Sequence, residues 1–231
     1  DDLADTIVDV DEFAALIDTS EIMLRYCGAD VISNNYERLD SPTAMKGPRY
    51  RWRVGHHLFS FSTIFCRHFL MAAAGPFRAS PERVAALIED ARISLRGTTA
   101  AMRYAANMSQ GAYLDVIRPS MEAAWPGGFS GTQHLDYERL KRAREDTRQA
   151  LLSEYGQLPA DWPQEVRLAF GGFCETEVED LEQHTLIAAS KVGTTSSLLT
   201  AAAGGASDWA AVKQLRSMAN KRQRELRGFL T

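Results

Sequence analysis

Apolar residues recur at helical spacing along nearly the whole chain, and no alternating run bounded by turn residues is long enough to make a strand. Asp11 to Cys27 carries Phe13, Leu16, Ile17, Met23 and Leu24 on one side. After the Gly47-Pro48 turn, a long apolar helix is predicted from Tyr50 to Ala74, stopped by Gly75-Pro76. Ser80-Pro81 is a helix start, with Ser as cap and Pro at the first helical position. That helix runs to about Asn107 with Val84, Leu87, Ile88, Ala91 and Leu95 inward. A short helix follows from Gln110 to Ile117, ending at Arg118-Pro119. Leu135 to Tyr155 is charge-rich and reads as a solvated amphipathic helix. Trp162-Pro163 opens another that reaches Val192. Residues Gly193 to Gly205 are small and polar. The last helix, about Asp208 to Phe229, is basic at its C-terminal end, as the helix dipole favours. The expectation is a single all-α domain over 1–231, a helical bundle with room for a cofactor pocket between long helices.

Composition narrows the partners. The 231 residues are 45% hydrophobic and 24% charged, ordinary for a globular chain. Lys+Arg 26 against Asp+Glu 30 gives a net charge of −4, which argues against a phosphate-driven nucleic-acid binder. The most apolar stretch, Phe59 to Gly75, is interrupted by Arg67 and His68 and falls short of the roughly 18 residues a spanning helix needs. No membrane contact is therefore expected. Three widely spaced cysteines, Cys27, Cys66 and Cys174, read as reduced thiols rather than a disulfide frame, and the expected location is cytoplasmic.

The candidate chemistry centres on histidine. His56 and His57 open the most apolar helix just after Gly55, whose lack of a side chain suits a close approach. A hydrogen-bonded structural histidine is the alternative there. His184 is followed one turn later by Ala188 and Ala189, which leave space for a flat ligand; a packed histidine is again the alternative. No CxxC, HExxH or CxxCH occurs, and Leu181 stands where a Glu-x-x-His di-iron motif needs its carboxylate. A lone histidine on a small-residue helix suits a non-covalent haem, whose iron needs only one protein ligand. Asp1-Asp2-Leu3-Ala4-Asp5 spells DDxxD, but no second diphosphate–metal motif follows, so it reads as an acidic segment. Arg118 can clamp a carboxylate bidentately or serve as a surface cation. Tyr113, Trp125 and Phe129 lie near it in sequence. The Gly127–Gln133 string, with Ser130 and Thr132, is too small and polar for a core.

Taken in order, these segments resemble the haem-dependent tryptophan 2,3-dioxygenase and indoleamine 2,3-dioxygenase superfamily. Val54-Gly55-His56-His57-Leu58 resembles its distal segment, and residues 113 to 118 resemble the helix ending in the substrate-carboxylate arginine. Gly128-Phe129-Ser130-Gly131-Thr132-Gln133 resembles the following loop. His184 with Ala188 and Val192-Gly193 resembles the proximal-histidine helix, and Gly204-Gly205 before Lys213 and Arg216 the Gly-Gly turn and last basic helix. The chain departs from the pattern in lacking an intact GTGGS loop and in carrying Leu181 one turn before the histidine, where relatives often have arginine. It also lacks the HxxxC spacing of the superfamily's covalent-haem hydroxylases.

The resemblance implies a haem-dependent oxygenase using non-covalent haem b iron, O₂ and a small indole or related aromatic amino-acid substrate, with dioxygenase chemistry expected. His184 would ligate iron, with Gly204 and Gly205 beside the cofactor. His56 or His57 would serve the distal side. Arg118, Tyr113, Phe59, Trp125, Phe129, Ser130 and Thr132 would bind substrate. A monooxygenase or hydroxylase of natural-product biosynthesis, and a non-catalytic haem-binding helical protein, remain alternatives. Homo-oligomerisation is left open. The haem propionates would find cations among Arg49, Arg51 and Arg53.

Overall fold

A computed structural model describes residues 15, 18, 19, 47–75, 80–124, 135–192 and 216–224. All regular structure among them is helical: α1 (Pro48–Ala74), α2 (Pro81–Ala106), a turn at Gln110–Ala112, a π-helical stretch Tyr113–Ile117, α3 (Arg118–Ala124), α4 (Leu135–Tyr155), a 3₁₀ turn Pro159–Asp161 and α5 (Gln164–Val192). Residues 216–224 form a further helical segment. Each start has a local cause. Pro48 and Pro81 occupy the first turns of α1 and α2, where a missing N–H costs nothing. Ser80 Oγ accepts the Arg83 N–H, and Ser109 Oγ accepts that of Ala112. Gly156 takes φ 110°, which ends α4 and turns the chain into the Trp162 corner.

One hydrophobic core joins four helices. Cys66, Phe69, Leu70 and Ala73 of α1 meet Val84, Leu87, Ile88, Ala91 and Leu95 of α2, Leu140 and Leu151 of α4, and Val166, Phe170 and Phe173 of α5. The inward stripe read from the α2 sequence is the one that is buried. Phe170 stacks on Phe173 at 6.3 Å and meets Trp162 edge-on. Burial pushes the Cys66 thiol up and the Cys174 thiol to about 12, so both stay protonated. Cys27 lies outside the described residues.

Two expectations need correction. The solvated reading of α4 misses Arg144, which is only 1% exposed and donates from Nε to Glu177 at 2.7 Å. Arg222 stands 3.7 Å from the same carboxylate. A long guanidinium reaches across to α5 and finds its counter-charge inside, a compensation that periodicity alone does not disclose. The short helix also does not end at Arg118-Pro119. It widens to π spacing over Tyr113–Ile117, with the Arg118 N–H on Tyr113 O, and continues as α3. Pro119 has no N–H, so it belongs in the first turn of a new α segment, and the wider turn before it absorbs the mismatch.

Candidate functional site

The register of the helices sets up the site. Gly55 of α1 lies against α2 so closely that a Cβ there would stand 2.5 Å from Ala105 Cβ and 2.9 Å from Ala101 O. Arg51 ties the same end by donating from its guanidinium to Asn107 O at 2.8 Å. That guanidinium is thus engaged at the α2 C-terminus, and Arg53 is exposed. The close approach foreseen at Gly55 is therefore to a neighbouring helix. It fixes Trp52 and His56 on the turn on either side.

The His56 ring sits 3.9 Å from the Trp52 ring, and Trp52 lies 6.2 Å from Tyr113. Nδ1 of His56 is 2.7 Å from Trp52 O. A carbonyl only accepts, so Nδ1 must carry the proton and, in the neutral ring, Nε2 carries the lone pair. His57, about 100° further around the helix, is exposed. Of the adjacent pair, the structure brings only His56 to the aromatic group. Tyr113 is held by the π-helical stretch, whose Val116 and Ile117 pack with Met108, Met121 and Trp52. π turns recur at functional sites because they re-aim side chains. Arg118 follows directly and is half-buried, and Phe59 is half-buried on the turn of α1 after His56. Trp125, Phe129, Ser130, Thr132, Gly204 and Gly205 lie outside the described residues.

His184 lies on α5. This helix runs parallel to α2, because Thr98 and Thr99 meet Asp180, and Met108 O accepts from Lys191 Nζ. His184 therefore stands between those two contacts, at the level where Gly55 packs on Ala101 and Ala105. Two turns after His184, Lys191 reaches the residue on which Tyr113 and Trp52 pack. Burial lowers the His184 pKa and favours neutral imidazole. Neither of its ring nitrogens makes a hydrogen bond among the described residues. A neutral, uncommitted imidazole is the donor a haem iron needs. The open space expected from Ala188 is partly taken: Ala188 packs with Leu181, Met218 and Ala219, its small side chain letting the last helical segment approach.

Asp180, one turn before His184, is 5% exposed and accepts from Thr99 at 2.6 Å and Thr98 at 3.2 Å. Burial raises its pKa to about 6 despite those bonds. A cleft of about 230 Å³ opens beside it between α2 and α5, lined by Arg96, Thr99, Arg103, Thr176, Glu179 and Gln183. It is smaller than the roughly 300–1,000 Å³ of a typical ligand pocket. Among the described residues no cluster of three His, Cys, Asp or Glu side chains could hold a bare metal ion. Sequence reasoning missed Trp52, Asp180 and the two threonines. Trp52 was visible as the residue four before His56. The carboxylate–threonine contact joins residues about 80 apart and left no local signal.

Comparison with known proteins gives one match. A family model described as SfmD 3-methyl-L-tyrosine peroxygenase matches residues 2–167. No curated protein and no solved structure matches. The matched region contains His56, Tyr113 and Arg118, and His184 lies beyond it.

Proposed function

The chain belongs to the SfmD 3-methyl-L-tyrosine peroxygenase family, and on that premise we propose that it is a haem-dependent oxygenase that transfers one oxygen atom from peroxide to an aromatic amino acid of the tyrosine class. The balance is R–H + H₂O₂ → R–OH + H₂O. The family match over more than half of the chain carries this reading. It replaces O₂ by peroxide as the favoured oxygen donor and makes single-atom insertion the expected outcome. The indole substrate and dioxygenase chemistry rest on the sequence resemblance to tryptophan and indoleamine dioxygenases alone.

When bound, the haem supplies the oxygen-transfer chemistry. His184 would hold its iron through neutral imidazole, which the burial of that ring favours. His56 serves as the acid–base group on the substrate side. Its Nδ1 proton is committed to Trp52 O, so Nε2 accepts the peroxide proton and returns it to the departing oxygen as water forms. Trp52 and Tyr113 form an aromatic wall that orients the substrate ring. Arg118 holds the substrate carboxylate bidentately. Positioning contributes more than acid–base strength, since proton transfer of this kind accounts for about 10²–10⁴-fold in rate.

The test is anaerobic incubation of the haem-loaded protein with H₂¹⁸O₂ and 3-methyl-L-tyrosine, with tryptophan run in parallel. One ¹⁸O atom in a tyrosine-derived product supports the reading. Product that forms from tryptophan only with O₂, carrying two of its atoms, returns the assignment to dioxygenase chemistry. His56→Ala should keep the haem spectrum while lowering peroxide-dependent turnover.

A further inference from the structure

Two groups of complementary kind stand one turn apart on α5. Asp180 is nearly fully buried, and its hydrogen bonds from Thr98 and Thr99 both fall on Oδ1. Among the described residues Oδ2 accepts none. The nearby guanidinium groups of Arg144 and Arg222 approach Glu177, one turn earlier on the helix. His184 follows four residues later, on the same side of the helix, with its Cβ about 5–6 Å away. Its ring nitrogens make no hydrogen bond among the described residues. The carboxylate has a second acceptor oxygen to offer and the imidazole a ring N–H to give.

We propose that Asp180, clamped onto α2 by Thr98 and Thr99, is the positioning residue of the cofactor site, accepting through Oδ2 the ring N–H of His184 that points away from the iron. This rests on His184 being the iron ligand. A histidine that ligates through one nitrogen must carry its proton on the other, and an acceptor there fixes tautomer and ring orientation and makes the ligand more basic. The i, i+4 spacing puts the two side chains on one face of the helix, within reach of each other without a change in the backbone. Thr99 is the more important clamp, since its hydroxyl makes the shorter contact while that of Thr98 also faces Leu95 O. A buried charge, which by itself costs stability, thus has a use once the imidazole N–H is available. Asp180 in this role touches neither substrate nor cofactor; it acts through His184.

The experiment is haem titration of the cofactor-free protein for wild type, Asp180→Asn, Thr99→Val and His184→Ala, together with the ferrous iron–histidine stretch by resonance Raman. Asp180→Asn should weaken haem affinity about 10–100-fold, the usual effect of losing such a partner, and lower the stretching frequency. Thr99→Val keeps the charge and should move both readouts the same way by a smaller amount. It also covers the case in which Asp180→Asn does not fold. Unchanged frequency in a folded Asp180→Asn, whether or not affinity falls, overturns the proposal, because a purely structural role would not reach the iron–histidine bond. An unchanged Thr99→Val overturns it if Asp180→Asn does not fold. If His184→Ala keeps both affinity and stretch, the ligand assignment fails, and the role of Asp180 fails with it for that separate reason.

Discussion

Replacing Gly55 with alanine ought to stabilise an ordinary helix, by about 1 kcal/mol from helix propensity alone. Here the sign should reverse. The new Cβ would lie 2.5 Å from Ala105 Cβ and 2.9 Å from both Ala101 O and Ala105 Cα. Carbon atoms rest about 3.5–4.0 Å apart, so α1 and α2 must separate by about 1 Å. Two of the three obstructing atoms are backbone and cannot rotate aside. Overpacking of this kind costs about 1–3 kcal/mol, leaving a net loss of up to about 2 kcal/mol after the propensity gain. The separation also shifts His56, the next residue, against Trp52. Urea unfolding followed by tryptophan fluorescence should show a lower midpoint with an unchanged slope. Adding Ala105→Gly removes the shortest contact and should recover part of the loss, a coupling of at least about 0.5 kcal/mol. A midpoint for Gly55→Ala above wild type by the stability that helix propensity alone gives, about 1 kcal/mol, would refute the close-packing argument.

Other outcomes follow from the same contacts. With its pKa raised from 3.8 to about 6, Asp180 binds a proton in the folded state that the unfolded chain has already released. Its contribution is therefore full below about pH 4 and is lost as pH rises through 6, by about 3 kcal/mol. Asp180→Asn in the cofactor-free protein should gain stability relative to wild type between pH 4 and 7, and a constant difference across that range would contradict the burial argument. Arg144→Ala should cost about 3–5 kcal/mol by removing the principal partner of a largely buried Glu177; a loss below 1 kcal/mol in thermal unfolding would show that Arg222 suffices. Arg118→Ala should weaken an aromatic amino acid by about 10–150-fold, the worth of a charged hydrogen bond, and leave the decarboxylated amine unaffected. Equal losses in spectral titrations of the two ligands would make Arg118 structural.

Helix positions were legible because they are local. Ser80-Pro81 and Gly75-Pro76 announce their boundaries within a few residues, and the Val84–Leu95 stripe needs only the helical period to declare which face is buried. What the sequence hid depends on distant partners. Arg144 looks like one more charge on a solvated helix until Glu177 arrives from another helix. Asp180 is unremarkable until Thr98 and Thr99 close over it. The choice between His56 and His57 was open for a similar reason: both lie on one turn, and only the packing of α1 on α2 decides which faces Trp52 and Tyr113. The π-helical stretch was missed because Pro119 signals an end, whereas a widened turn lets the helix carry on past it.

The assignment of His184 as the ligand of a haem iron bears most of the functional account. Its most direct test is the haem stoichiometry and absorption spectrum of the reconstituted protein with and without His184. Wild type should bind one haem per chain with a histidine-ligated ferrous spectrum. His184→Ala should lose stoichiometric binding or retain a weak complex whose histidine-ligated spectrum returns when imidazole is added. Full occupancy and an unchanged spectrum in His184→Ala would contradict the assignment and move the iron to another residue.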